Sequence, residues 1–297
     1  MTTTMTGVIG LGGMGSGIGG TLLRNDFELM VFDVAAERAK PLTEAGATAA
    51  GDVAEVCKRC DTVVLSLPSS HVAVEVMDQQ ILPAAREDTV VIDMGTTLVR
   101  ETRRLATAFR ARGVTLLDAP VSGGTVGAAK GELFVFVGGE KSVAESRWPL
   151  LEALGGGRLT WCGESGCGQI TKAVNQLGMG LVDAAFIEAV AFGVNGGVPA
   201  DVLEKAVGGE SGWRAHLSRI ASRIASGDGD GNDVKYAEHA YFLDFARSED
   251  FPVPMLDALY SYMQQFPETH RDNMNRPYPP LWSALSGRIT PEEGGAS

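Results

Sequence analysis

The sequence predicts an α/β first half, a doubly wound parallel sheet with helices on both faces, followed by an all-α half built around one long helix. Three observations predict it. Short β-rich runs alternate with helical patterns as far as Cys162, the order that yields parallel strands joined by crossover helices. A glycine cluster, Gly10-Leu11-Gly12-Gly13-Met14-Gly15, separates the first strand from the first helix. After Gly168 the pattern changes, and 169–195 reads as one unbroken helix rich in Ala, Val, Leu and Ile.

Taken in order, the β-branched and apolar runs place strands at 6–11, 28–32, 62–67, 89–93, 114–118, 133–137 and 159–162. Helical periodicity fills the gaps at 15–24, 36–45, 52–58, 70–77, 99–112 and 142–154. The 169–195 helix carries apolar residues on most of its faces, so it should be buried on several sides. Shorter helices follow at 200–207, 215–225, 234–249 and 255–266, the third ending before Pro252 and Pro254. These elements divide the chain into 1–165 and 166–297, with turn and disorder composition at 276–280 and 291–297.

Composition bounds the function. The length of 297 residues allows two cores of ordinary size, and 44% apolar content with 38 glycines describes a globular chain whose backbone approaches something closely. A formal charge of −12, with no basic stripe to counter it, argues against nucleic acid. The first twenty residues lack the basic start and leucine-rich core of a signal, and no apolar run reaches the ~18 residues needed to span a bilayer. The expectation is therefore a cytoplasmic protein with no membrane partner. Cys57-x-x-Cys60 has no second pair at ligand spacing, and His71, His216, His239 and His270 form no metal or triad spacing, so no metal is expected.

The glycine cluster follows Val8-Ile9 and opens a helix, the context that makes it a Rossmann dinucleotide fingerprint. Gly10 permits the tight turn, Gly12 lets backbone approach a pyrophosphate, and Gly15 allows close packing of helix on sheet. Asp33 ends the second strand about 20 residues on, where a carboxylate accepts from ribose hydroxyls and repels a 2′-phosphate. With no arginine directly beside it, NAD is favoured over NADP. Gly17, Gly19 and Gly20 in the same helix suggest close packing against the cofactor or the other domain.

Asp118-Ala-Pro-Val-Ser122-Gly123-Gly124 offers a hydroxyl and unobstructed backbone amides suited to a carboxylate, or forms a plain glycine turn after a strand. Lys172 stands in the first turns of the long helix with no acid three or four positions away, either a surface lysine or an isolated amine held for chemistry. Asn175 and Gln176 lie one turn further on, placed to orient a substrate or to pack as structural amides.

Together Gly10–Gly15, Leu67-Pro68, Asp93-Met-Gly-Thr96, Asp118–Gly124, Val137-Gly-Gly139 and Gly166-x-Gly168-x-x-x-Lys172-x-x-Asn175-Gln176 resemble the β-hydroxyacid dehydrogenase family, over nearly the whole chain. The family includes 3-hydroxyisobutyrate dehydrogenase and tartronate semialdehyde reductase. The resemblance implies a Rossmann domain, a helical domain like that of 6-phosphogluconate dehydrogenase, and hydride exchange between NAD(H) and a small β-hydroxy acid or semialdehyde in the cleft between them. It implies Lys172 as general acid/base, Ser122, Gly123 and Gly124 at the substrate acid group, and Asn175, Gln176 and Trp213 around the substrate. Gly10 to Gly15, Asp33, Leu67, Pro68, Thr96 and Lys235 would hold the cofactor, Thr96 near the nicotinamide. Tyr236 and Ala237 stand where the family has Asp-Leu after that lysine, which weakens the assignment of Lys235. Trp213 and Arg214 either line a pocket, Arg214 pairing a second anionic group, or pack at the surface. A homodimer or homotetramer is expected. Two other readings share the architecture: an imine reductase, which usually carries aspartate or tyrosine at the lysine position, and a non-catalytic NAD(P)-binding relative, which tends to lose the lysine.

Overall fold

The computed structural model describes residues 5–266 and 280–291, and the chain forms two compact units, Met1–Ala173 and Val174–Ser297. That division falls inside the long helix, later than the 165/166 boundary read from the sequence.

Among the described residues the first unit holds nine strands: β1 (Thr6–Ile9), β2 (Leu29–Phe32), β3 (Thr48–Ala49), β4 (Thr62–Leu65), β5 (Val90–Asp93), β6 (Thr115–Asp118), β7 (Val121–Ser122), β8 (Phe134–Gly138) and β9 (Leu159–Gly163). Their order is β3-β2-β1-β4-β5-β6-β8-β7, with β9 pairing β8. All pairs from β3 to β6 are parallel, and the order reverses at β1, the switch point where open α/β sheets bind ligands. The central strands β1, β2, β4, β5 and β6 are buried on both faces. Val8, Val31, Val64, Ile92 and Leu117 face one core, and Ile9, Met30, Val63, Leu65, Val91 and Leu116 face the other.

Helices cover both faces: α1 (Gly13–Arg24), α2 (Lys40–Glu44), α3 (Val53–Arg59), α4 (Ser70–Val76), α5 (Leu82–Ala84), α6 (Val99–Arg110), α7 (Gly124–Lys130), α8 (Lys141–Ser146) and α9 (Trp148–Gly155). Helix α6 shows the sequence logic plainly, because Val99, Thr102, Leu105, Ala106 and Phe109 are its buried residues and recur at helical spacing.

Several elements differ from expectation. β8 runs antiparallel to β6 and β7, because the chain doubles back after β6 without the crossover that a parallel neighbour needs. The expected helix at 142–154 is two helices meeting at Arg147, with Pro149 in the first turn of the second. β3 and β7 are too short to leave a periodic signal, and α7, Gly-Thr-Val-Gly-Ala-Ala-Lys, has a single large apolar residue and so leaves none. The extra glycines of α1 pack within their own unit: a Cβ on Gly17 would lie 2.9 Å from the Ala128 Cβ of α7, and one on Gly19 would lie 2.9 Å from Leu42 of α2.

The second unit is helical: most of α10 (Cys167–Asn195), then α11 (Ala200–Val207), α12 (Gly212–Ala225), α13 (Tyr236–Ser248), α14 (Pro254–Met263) and the unexpected α15 (Leu281–Leu285). Its core gathers Ala184, Ile187, Val190 and Ala191 of α10 with Leu217, Ile220 and Ala221 of α12. By length and composition α10 is long and apolar enough to cross a membrane, which corrects the expectation that no apolar run reaches that length. The helix is not buried all round. Val174, Gly178, Val182, Ala185, Ala189 and Phe192, spaced four, four, three, four and three residues apart, form an exposed apolar stripe along it. Most of 276–280 and 291–297, and His270, lie outside the described residues.

Candidate active site

Strand β1 delivers the chain into the glycine turn. A Cβ on Gly10 would lie 2.4 Å from the Ser66 carbonyl oxygen and one on Gly15 would lie 1.8 Å from that of Gly10, so protein packing alone demands glycine at both. Gly12 is different. Its φ of −64° suits any residue and a Cβ there would meet nothing within 4 Å, so only close approach of something outside the chain calls for glycine. Gly12 is the N-cap of α1 and brings no side chain to its first amides, which stay available to an anion. Beside it opens a cavity of about 640 Å³ lined by Gly10, Gly12, Gly13, Met14, Asp33, Leu67 and Pro68. Glycine floor, helix terminus and distal carboxylate suit a dinucleotide.

Leu11 contributes differently from its neighbours: its side chain is buried, and its amide donates to Asp33 Oδ2 at 2.6 Å. Asp33 Oδ1 accepts from the Ala35 amide at 2.9 Å and from Arg38 Nη1 at 3.5 Å. Burial pulls the Asp33 pKa up, but these amides and the guanidinium outweigh it and hold the carboxyl below its usual value. Arg38 corrects the sequence expectation, because an arginine does stand beside Asp33 in space and lines the same cavity. Five positions along a loop and 3₁₀ turn, it was adjacent only after folding.

At the carboxyl ends of β5 and β6 the structure brings together residues the motifs had named singly. Lys172 is buried, 7% exposed, and its Nζ donates to the Val121 carbonyl at 2.7 Å. Val121 precedes Ser122, which is half-buried, and the exposed Gly123 and Gly124 follow with φ of 137° and 64°. The amine therefore lies beside the glycine turn. Thr96 is half-buried between Gly95 and Thr97.

Three buried residues at this end were not singled out. Asp118 Oδ1 accepts from the Gly166 amide at 2.9 Å and Oδ2 from the Gln169 amide at 3.0 Å, filling the first turn of the lysine's helix. Asp93 accepts from the Gly95 amide at 3.0 Å and the Thr97 hydroxyl at 2.6 Å. Gln169 takes the Thr97 amide at 3.1 Å and gives to the Gly95 carbonyl at 3.0 Å. Burial is the main cause that pushes Asp93 up to about 6 and Asp118 up to about 7, the charge of Asp93 adding to the latter. A signal for the two acids existed: each closes an apolar run, Val-Val-Ile-Asp93 and Leu-Leu-Asp118.

Within the second unit, Asn175 is half-buried with Nδ2 3.8 Å from Met179 Sδ, and Gln176 is buried with Nε2 3.4 Å from Glu238 Oε1. Lys235 has φ of 61° and its Nζ pairs with Asp233 Oδ2 at 2.7 Å. Trp213 is exposed, with the Arg214 guanidinium 4.7 Å from its ring centre. Arg214 also donates to the carbonyl of Val207, the last residue of α11, at 2.8 Å, a contact that serves the helix end. His216, given no chemistry from sequence, meets Asp183 at 2.5 Å, and Arg219 meets the same carboxylate at 2.6 Å.

The family model for the NAD binding domain of 6-phosphogluconate dehydrogenase matches residues 5–163. The 2-(hydroxymethyl)glutarate dehydrogenase of Eubacterium barkeri is 30% identical over 255 residues, covering 84% of each chain. The chain belongs to the β-hydroxyacid dehydrogenase family. Another member, the NAD-dependent L-serine dehydrogenase of Pseudomonas aeruginosa, is 36% identical over 206 residues, 69% of each chain. A solved structure of Mycobacterium tuberculosis 3-hydroxyisobutyrate dehydrogenase with L-serine superposes with a TM-score of 0.80 over 97% of this chain and 99% of that one, at 24% identity. The β-hydroxyacid dehydrogenase assignment makes the protein an oxidoreductase with an NAD(P)-binding Rossmann domain, and it accounts for the glycine-floored cavity above.

Proposed function

We propose that this protein exchanges hydride between NAD(H) and a small β-hydroxy acid or its semialdehyde, with Lys172 as the proton-transfer group. The observation that carries the reading is the placement of the buried Lys172 Nζ, 2.7 Å from the Val121 carbonyl and beside the Ser122–Gly124 turn. Bound in the glycine-floored cavity, the nicotinamide ring would take or give the hydride. Lys172, neutral, takes the hydroxyl proton as the substrate carbon is oxidised; as ammonium, it returns a proton to the carbonyl oxygen during reduction. The Ser122 hydroxyl and the amides of Gly123 and Gly124 hold the substrate carboxylate, which leaves the hydroxyl carbon as the part free to react. That bound carboxylate also favours the ammonium form, so reduction is the easier direction near neutral pH.

Asn175 and Gln176 are assigned to substrate orientation, Trp213 to the substrate surroundings, and Thr96, Leu67, Pro68 and Lys235 to the cofactor. NAD is favoured by the Asp33 carboxylate, and Arg38 tempers that preference by offering a cation to a 2′-phosphate. The relatives act on compounds that their names record as L-serine and 2-(hydroxymethyl)glutarate, so short hydroxy acids of both kinds are the substrates to screen.

A homo-oligomer is supported by the apolar stripe of α10, which runs beside a groove of about 390 Å³ lined by Leu181, Ala185, Met255 and Tyr262. A purely monomeric species in sedimentation at micromolar concentration would end that reading. The decisive test of the chemistry is Lys172→Met assayed with NAD and the screened acids. Loss of turnover with NADH binding intact supports the assignment, and a normal rate refutes it.

A further inference from the structure

The helix that carries Lys172 is fastened to the sheet by side chains to which the proposed chemistry gives no task. Asp93 and Asp118 are register partners on β5 and β6, and with Gln169 they are almost fully buried, at 1%, 0% and 2% exposure. One carboxylate, that of Asp118, receives two amides at the start of α10. The approach is so close that a Cβ on Gly168 would lie 2.4 Å from the Phe136 carbonyl oxygen and 2.7 Å from that of Asp118. This fixes where the helix begins.

Gln169 carries the connection further. It sits one turn before Lys172, and its side-chain amide makes both a donated and an accepted bond to one short segment, the carbonyl of Gly95 and the amide of Thr97. Asp93 holds the same segment from below through the Gly95 amide and the Thr97 hydroxyl. Thr96, between the two clamped residues, is the one assigned to the nicotinamide. A planar amide gripped at both ends has little rotational freedom, so displacement of the loop is passed to the helix and the reverse.

We propose that Gln169 is a positioning residue for hydride transfer, setting the Gly95–Thr97 loop and the Lys172 helix at one fixed separation. The ring-facing loop and the proton donor thereby share a single reference point. The inference rests on the reading of Lys172 as the proton-transfer group. An error of about 1 Å in such an arrangement costs on the order of 100-fold in rate.

The test is a double-mutant cycle on the cofactor-loaded protein, using NAD with whichever of L-serine, 3-hydroxyisobutyrate and 2-(hydroxymethyl)glutarate turns over fastest. Gln169→Leu keeps the volume and removes both side-chain bonds. It should lower kcat by about 10- to 100-fold while KM for the acid and the Kd for NADH change little. In a Lys172→Ala background the same replacement should change the residual rate less than about 2-fold, because a residue that acts through the lysine has nothing left to position. Gln169→Glu supplies a second reading: its carboxylate repels the Gly95 carbonyl, and its rate relative to wild type should recover as pH falls and a protonated oxygen donates again. Equal losses in both backgrounds, or wild-type kcat in Gln169→Leu, overturn the positioning role and leave Lys172 untouched. A fully active Lys172→Ala instead overturns the proton-transfer reading and this inference with it.

Discussion

The buried carboxylates and lysine of the first unit and the buried histidine of the second are held in opposite ways. In the first, Asp33, Asp93, Asp118 and Lys172 are all buried and all hydrogen-bonded, mostly to backbone amides or carbonyls. In the second, His239 of α13 is fully buried, yet among the described residues neither ring nitrogen makes a well-formed hydrogen bond. Burial pushes its pKa down to about 4, against a weaker opposing pull from the Val234 backbone and Asp233. A bonded buried group fixes a geometry; an unbonded one only costs stability, about 1–3 kcal/mol for a polar atom. The contrast marks the ends of β5 and β6 as the place where the fold holds atoms to a position, and it separates fixing a geometry from filling a core.

The largest effect expected from breaking that contrast is at Lys172. Lys172→Met should lower kcat by about 10²- to 10⁴-fold with unchanged NADH affinity, measured by steady-state kinetics and fluorescence titration. Next come two glycines on one helix. Gly168→Ala drives a Cβ into two backbone carbonyls and should destabilise the first unit by about 1–3 kcal/mol or more, whereas Gly178→Ala meets nothing within 4 Å and should gain roughly 0.5–1 kcal/mol. Thermal unfolding of the pair reads the difference, and similar Tm shifts for both would remove the claim that the first turn of α10 is sterically fixed.

Titration separates the two acids at the ends of β5 and β6 from the buried histidine by sign. His239 is neutral when folded, so between pH ~6.5 and about 4 the unfolded chain binds the extra proton and stability is lost as pH falls. His239→Leu should abolish that loss, a gain of roughly 3 kcal/mol near pH 4 by urea unfolding. Asp93 and Asp118 act the other way: their folded pKa values are raised to about 6 and about 7, so the folded state binds more protons than the unfolded, and their contribution declines as pH rises from near 4 towards 7. An identical acid limb in wild type and His239→Leu would show that the histidine is not the group responsible. The smallest effect concerns the cofactor: Arg38→Ala should cut the ratio of NADP to NAD use by about 5-fold, the equivalent of about 1 kcal/mol for a partly exposed charge.

Much of the fold and of the candidate site was legible because its motifs obey local rules. The strand, glycine turn and helix of 6–24 follow one another without a gap, and the alternation of Val8 and Ile9 between two cores is the period of a strand buried on both faces. Lys172 stood out as an amine with no neighbouring acid on its own helix. Arg38 did not stand out, since its meeting with Asp33 depends on the path of a turn. The exposed stripe of α10 was hidden by the same composition that identified the helix, because an all-round apolar pattern does not say which faces find partners.

By itself, then, the sequence determined the parallel sheet, its nucleotide turn, the long helix and the family to which they belong, since each is written in residues close together along the chain. Only tertiary structure decided that Asp118 would take the amides of Gly166 and Gln169, 48 and 51 positions away, and that Gln169 would close on Gly95 and Thr97, 74 and 72 positions away. Such bonds leave no periodic trace, because a hydrogen bond depends on where two atoms come to lie after the sheet has twisted and the helices have packed.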